Sequence, residues 1–167
     1  DKIHLVESFY GCAMSLKRTT RDWFYDKEKS GGGLVDQATH NLDLLRVLMG
    51  EVKLVKGVSA NPVFPKTPGY TIEEVIALNF LFETGSVGSH IHSWVADRWR
   101  NEIVLSGEKR LYRLNLGKGL LTIEEGAEPE TFSKPGISMY KWQADKFLEM
   151  VQSGDWSDNP CDYEDGL

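Results

Sequence analysis

Residues 31–50 read GGGLVDQATHNLDLLRVLMG. Three glycines run into an apolar segment in which Leu34, Val35, Ala38, Leu42, Leu45, Val47, Leu48 and Met49 recur at helical spacing. The spacing predicts a helix over 34–49, and Gly50 stands where a helix C-terminus favours glycine. Asp36 and His40 are four apart and share a face, and Asp43 adjoins His40 three residues further on. An imidazole set between carboxylates can exchange a proton near neutral pH, as general acid–base chemistry requires. The same pattern also fits the solvated face of an ordinary amphipathic helix. The glycines fit a tight turn, or a close backbone approach by a ligand or neighbouring segment.

Upstream, Lys2 to Phe9 alternates as a strand, with Ile3, Leu5 and Glu7 on one side. Gly11 to Ser30 reads as a long polar surface loop, with Arg18, Arg21 and Lys27 around Trp23-Phe24-Tyr25. Trp23 beside Arg21 suits stacking on a sugar ring, and it suits equally a packing role that pins the loop.

Downstream, Val52 to Ala60 reads as a strand, and NPVFPKTPGYT as a loop. Glu74 to Phe82 and Val87 to Val95 form a hairpin across ETGS, Asn101 to Leu105 and Arg110 to Leu116 another across SGEK, and Leu120 to Glu124 follows. The second half is therefore expected to be an antiparallel meander of five or six strands. Ser138 to Val151 is a last helix, with Trp142, Ala144, Phe147, Leu148 and Val151 on its buried side and Gly154 at its end. This order predicts an α+β fold: a large, predominantly antiparallel open-faced sheet with helices packed on one face. The other face stays uncovered and is expected to be an interface, through which the chain forms a homo-oligomer.

At 167 residues, 41% hydrophobic and 26% charged, the chain fits one globular domain spanning 1–167. A net charge of −6 argues against a general binder of nucleic acid or anionic membrane. No run nears the ~18 apolar residues of a membrane span, and no signal-peptide pattern opens the chain. Cys12 and Cys161 lie far apart and read as free thiols of a reducing compartment, so a cytoplasmic location is expected. The start without Met and the closing CDYEDGL suggest a domain of a longer protein. His90 and His92 share a strand face and, with His40, offer three nitrogens to a metal. No HExxH or cysteine set supports that reading. Paired histidines on the outward sheet face, or partly buried at an interface, are expected instead, and no metal is assigned.

An ordered set of motifs goes further. WFYDKEKSGGGLVDQATHNLDLLRVLMGE, then TIEEVIALNFLFETGSVGSHIHSW, IVLSGEKRLYRLNL and FLEMVQSGDWSDNPCDYEDGL together resemble the C-terminal domain of the glucose–fructose oxidoreductase / inositol dehydrogenase / rhizopine-catabolism family. The resemblance spans nearly the whole chain. It implies a two-domain enzyme that moves a hydride between a nicotinamide and the CH–OH of a sugar or cyclitol. NAD or NADP would be held mainly by an N-terminal Rossmann domain, and this chain carries no GxGxxG to hold it. His40 would be the proton-transferring residue and Asp36 its catalytic partner. A lysine from the other domain would complete the set, so the chain alone is expected to be inactive. Trp23 and Arg21 would contact substrate. The chain departs from the family pattern at Ala38, where glycine is usual, at Phe24, where many members carry arginine, and at Lys109-Arg110, where glycine is usual in the hairpin. Arg21 is the candidate stand-in for that arginine. Two other readings compete: a non-catalytic assembly or regulatory module of the same fold, and a zinc-dependent hydrolase using His40, His90 and His92.

Overall fold

The computed structural model describes residues 1–17, 21–126, 128–133, 138–157 and 159. Cys161, the closing 161–167 segment and Arg18 lie outside the described residues. The chain forms two compact units, Asp1–Ser133 and Lys134–Leu167.

The first unit is built on one eight-stranded sheet: β1 (Ile3–Gly11), β2 (Val52–Ala60), β3 (Val75–Phe82), β4 (Val87–Ser93), β5 (Arg100–Gly107), β6 (Leu111–Asn115), β7 (Leu120–Glu124) and β8 (Glu130–Ser133). The strand order is β2-β3-β4-β1-β5-β6-β7-β8. The expected meander is thus interrupted. β1 enters between β4 and β5, parallel to the first with Leu5 opposite Val87, and antiparallel to the second with Val6 opposite Leu105. All other pairings are antiparallel. β8, short and exposed, was not apparent from hydrophobic patterning.

The 11–30 segment is not the structureless loop expected. It holds α1 (Met14–Lys17), a 3₁₀ turn (Asp22–Tyr25) and α2 (Lys27–Ser30). Tyr25 is buried with Tyr70, Ile72 and Trp94 in a small aromatic core. The proline-rich loop beside it is folded by Glu74, whose buried carboxylate accepts the backbone N–H groups of Val63 and Phe64. The predicted 34–49 helix divides into a π turn (Leu34–Ala38) and α3 (Thr39–Met49), with Thr39 N–H donating to Leu34 O across the wider turn.

α3 lies on one face of the sheet. Leu45 and Met49 share the main core with Val6, Phe80, Phe82, Ile103 and Leu105. Positions of opposite parity face away from it. There Leu54, Val58, Val87 and Ile91 are exposed, and the Arg100 guanidinium lies 4.0 Å from the Phe9 ring centroid. The glycines explain how the helix seats so closely. Gly31 and Gly32 adopt left-handed φ values of 76° and 75°. Gly33 has ordinary helical backbone, but a Cβ there would lie 2.6 Å from His92 Nε2. The close approach is to a neighbouring segment of the protein itself.

His90 and His92 lie on this inner face, not the outward one. Their side chains share parity with Val6 and Ser8 across the β1–β4 ladder, which turns them under the helix, and both are fully buried. Burial pushes both imidazoles down from 6.5 to about 4.

The second unit contains α4 (Met139–Ser153). Ser138 caps it by accepting Lys141 N–H, and Gly154 ends it at φ 69°. Trp142, Phe147, Leu148 and Val151, expected on a buried side, are instead about half exposed. Trp142, Phe147 and Trp156 help line a groove of about 560 Å³ within this unit. No helix among the described residues is long and apolar enough to cross a membrane.

Two outcomes follow from the seating of the π turn and α3 on the sheet. The unfolded chain takes up protons near pH 6.5 that His90 and His92 refuse in the fold. Stability is therefore full above that pH and falls as the pH drops toward 4, by at most about 1.4 kcal/mol per pH unit for each histidine. Urea unfolding between pH 7.5 and pH 5 measures this. Gly33→Ala forces a methyl onto His92 and should cost about 1–3 kcal/mol by overpacking, read as a lower urea midpoint at unchanged slope.

Candidate functional site

The π turn and α3 together present two rows of side chains. Gln37, Asn41, Leu45 and Met49 follow one another at four-residue intervals and face the sheet. Gln37 Oε1 accepts the buried Trp94 Nε1–H at 2.7 Å and the Cys12 thiol at 3.8 Å. Asn41 Nδ2 donates to Ser8 Oγ at 3.0 Å and to Asn101 Oδ1 at 2.9 Å. The π turn and α3 are thereby fastened to β1, to β5 and to the residue that follows β4.

Asp36 and His40 precede those anchors by one residue each, which turns them about 100° around the helix. Leu42 and Arg46, together with Leu34, line a cleft of about 360 Å³ over β2 and β3. His40 and Leu42 are about 200° apart, so the Asp36–His40 row occupies the opposite flank, toward β5. His40 is exposed and Asp36 half-buried. Partial burial raises the Asp36 carboxyl above its usual range, and the nearby His40 charge pulls it partly back. Asp43 is exposed.

Trp23 reaches the same end of the unit through packing. Its ring stacks on Phe24 at a centroid distance of 4.0 Å, and Phe24 meets the Trp94 ring edge-on at 6.5 Å. Trp94 is the tryptophan whose indole N–H is held by Gln37, next to Asp36. Trp23 remains 41% exposed. Arg21 precedes the same 3₁₀ turn and is exposed. Asp36 and His40 are thus adjacent, Trp23 joins them through Phe24 and Trp94, and Arg21 stands at the start of the Trp23 turn. His90 and His92 are buried on the inner face of the sheet, whereas His40 is exposed. Among the described residues no three His, Cys, Asp or Glu side chains converge as metal ligands.

Gln37, Asn41 and Tyr10 escaped sequence reasoning, and Trp99 reads from the sequence only as a core or interface aromatic. Gln37 and Asn41 carried a usable signal, being polar residues one turn apart and in line with Leu45 and Met49. Tyr10 and Trp99 did not. They meet edge-to-face at 6.3 Å, and Tyr10 also meets the His92 ring edge-on at 5.5 Å.

Gly31, Gly32 and Gly33 pack against Val35, Ile72, Glu73 and His92, so among the described residues they form no open glycine cradle of the kind that holds a diphosphate.

Residues 2–113 match the family model of the GFO/IDH/MocA C-terminal domain. No curated protein is matched by the chain. Among solved structures, levoglucosan dehydrogenase in its apo form superposes with a TM-score of 0.84 at 18% identity, over 99% of this chain and 54% of that one. The same enzyme in complex with NADH and levoglucosan gives 0.80 at 18% identity, over 92% and 50%. UDP-N-acetylglucosamine 3-dehydrogenase from Acidithiobacillus ferrooxidans gives 0.76 at 16% identity, over 99% and 49%. The chain spans about half the length of these structures. At such identities they establish the shared α+β fold. The family itself rests on the sequence match over β1 to β5, α3 and the start of β6: the chain belongs to the GFO/IDH/MocA C-terminal domain family.

Proposed function

We propose that this chain is the substrate-binding and proton-transferring domain of an NAD(P)-dependent oxidoreductase that acts on the CH–OH of a sugar or cyclitol. The observation that carries the reading is the Asp36–His40 pair, held on one flank of a helix whose sheet-facing side is fixed by Gln37 and Asn41. His40, exposed, takes the carbinol proton as general base. Asp36 orients the imidazole and offsets its charge while the proton is held. The nicotinamide supplies the hydride acceptor when bound, and its dinucleotide is held outside this chain. Trp23 offers an exposed ring for the sugar to lie against, and Arg21 donates to its hydroxyls. The levoglucosan and L-sorbose complexes of levoglucosan dehydrogenase support the substrate class. The protein works in the cytoplasm as a homo-oligomer, joined through the open face that carries Leu54, Val58, Val87 and Ile91.

In the full-length protein, His40→Ala should lower kcat by about 10²–10⁴-fold, with dinucleotide affinity within about twofold of wild type. Asp36→Asn should cost less and should move the acid limb of the kcat/KM profile, because that limb belongs to the coupled pair. Near-full turnover of His40→Ala across the pH range would leave the helix as scaffold. Sedimentation tests the assembly: the wild-type protein should run as an oligomer and Ile91→Lys as a smaller species. A wild-type monomer at high concentration counts against this face as the interface.

A further inference from the structure

We propose that Asn41 is a positioning residue for His40, and that it acts through a directional hydrogen-bond chain which Ser8 completes to the buried His90. The inference rests on the catalytic reading of His40 above.

Asn41 and His40 are consecutive on α3, so whatever fixes the rotation of Asn41 about the helix axis fixes that of its neighbour. Asn41 is 1% exposed, and its amide nitrogen is committed twice: to Ser8 Oγ at 3.0 Å on β1 and to Asn101 Oδ1 at 2.9 Å on β5. An amide nitrogen has two hydrogens, so both are spent. Ser8 Oγ therefore receives from Asn41. Its own hydroxyl hydrogen is left for His90 Nδ1, 3.0 Å away. In this assignment His90 Nδ1 accepts and the ring proton sits on Nε2, a buried nitrogen with no hydrogen-bond partner among the described residues. The order so assigned is Asn41 donating to Ser8 and Ser8 donating to His90.

Such a chain tolerates one rotation of the helix. A turn of α3 toward the β2–β3 cleft breaks both amide bonds inside a closed interior, where unmet donors and acceptors are costly. The apolar row cannot impose this alone, since Leu45 and Met49 pack with no directional preference. The polar row sits at the end of the helix that carries His40. The network therefore holds the catalytic flank, and the apolar core holds the far end.

The test uses the full-length protein and two readouts. Nitrogen-15 NMR of the imidazoles should show His90 Nδ1 as an acceptor nitrogen and Nε2 as the protonated one in the wild type. Asn41→Leu and, more gently, Ser8→Ala should shift His90 toward the Nδ1–H form. In steady-state kinetics Asn41→Leu should lower kcat by about 10- to 100-fold, as a small misplacement of the base does, with KM and dinucleotide affinity within about threefold of wild type. Ser8→Ala should follow in the same direction, and serves if Asn41→Leu does not fold. A wild-type His90 protonated on Nδ1 overturns the proposal, as does a loss confined to KM. An inactive His40→Ala beside fully active Asn41→Leu and Ser8→Ala overturns the positioning role alone. A fully active His40→Ala overturns the catalytic reading and the role of Asn41 with it.

Discussion

β1 is hydrogen-bonded along both edges, and the first unit depends on it. It joins the β2–β4 hairpin array to the β5–β8 array, with a parallel ladder on one side and an antiparallel ladder on the other. It also lies under the helix. Val6 shares the core with Leu45 and Met49, Ser8 meets Asn41, and Cys12, just past the strand, meets Gln37. The helix runs back along the strand. A four-residue step on a helix rises about 6 Å, and a two-residue step on a strand about 6.6 Å. The two repeats match from Asn41 over Ser8 to Leu45 near Val6, and part at Gln37, whose partner Cys12 lies four residues beyond Ser8.

Along that shared line the chemistry changes from apolar to polar. Met49 and Leu45 bury hydrocarbon, whereas Asn41 and Gln37 bury amides. Amides in an interior cost stability unless paired, and a paired amide demands one geometry. The apolar end supplies the free energy of docking, and the amide end supplies its orientation. The π turn lies at the amide end, with Gln37 inside it bonded to Trp94 and Asn41, just beyond it, bonded to Ser8. Asp36 and His40 inherit a fixed direction from their immediate neighbours.

Much of this was legible in the sequence. The period of α3, the ETGS and SGEK hairpins and the Asp36–His40 spacing all follow from local rules, because each depends on residues a few positions apart. The place of β1 does not. Alternation reveals a strand but not its partners, and here they lie more than eighty residues away. The same limit hid the side on which His90 and His92 stand. A period of two puts them on one face, while the choice of face depends on the distant helix. Four-residue helices such as α1 and α2 are too short to show a period, and β8 is too polar. The exposed apolar side of α4 shows the converse, since an amphipathic stripe marks a face suited to burial without specifying what covers it. Within the candidate site, the pair itself was readable and its anchors were not, because Asn41 matters through Ser8 and Asn101, thirty-three and sixty residues away.

The departure at Phe24 acquires a physical meaning in this frame. Phe24 lies between two tryptophans, stacked beneath Trp23 and edge-on to Trp94. Trp94 is fully buried, its indole N–H held by Gln37, its backbone N–H by Glu74 O, its carbonyl by Ser15 N–H, and its ring in edge contact with His92. An arginine at position 24 would bring a charge to the edge of this aromatic core, where burial without a partner is costly. Phenylalanine there turns the 3₁₀ segment into an extension of the core and gives Trp23 a firm backing. The loop that would carry a substrate contact is therefore fastened, through Trp94 and Gln37, to the same helix end that carries Asp36 and His40. A substitution in the loop and a substitution on the helix then act on one mechanical unit, and their effects should not add.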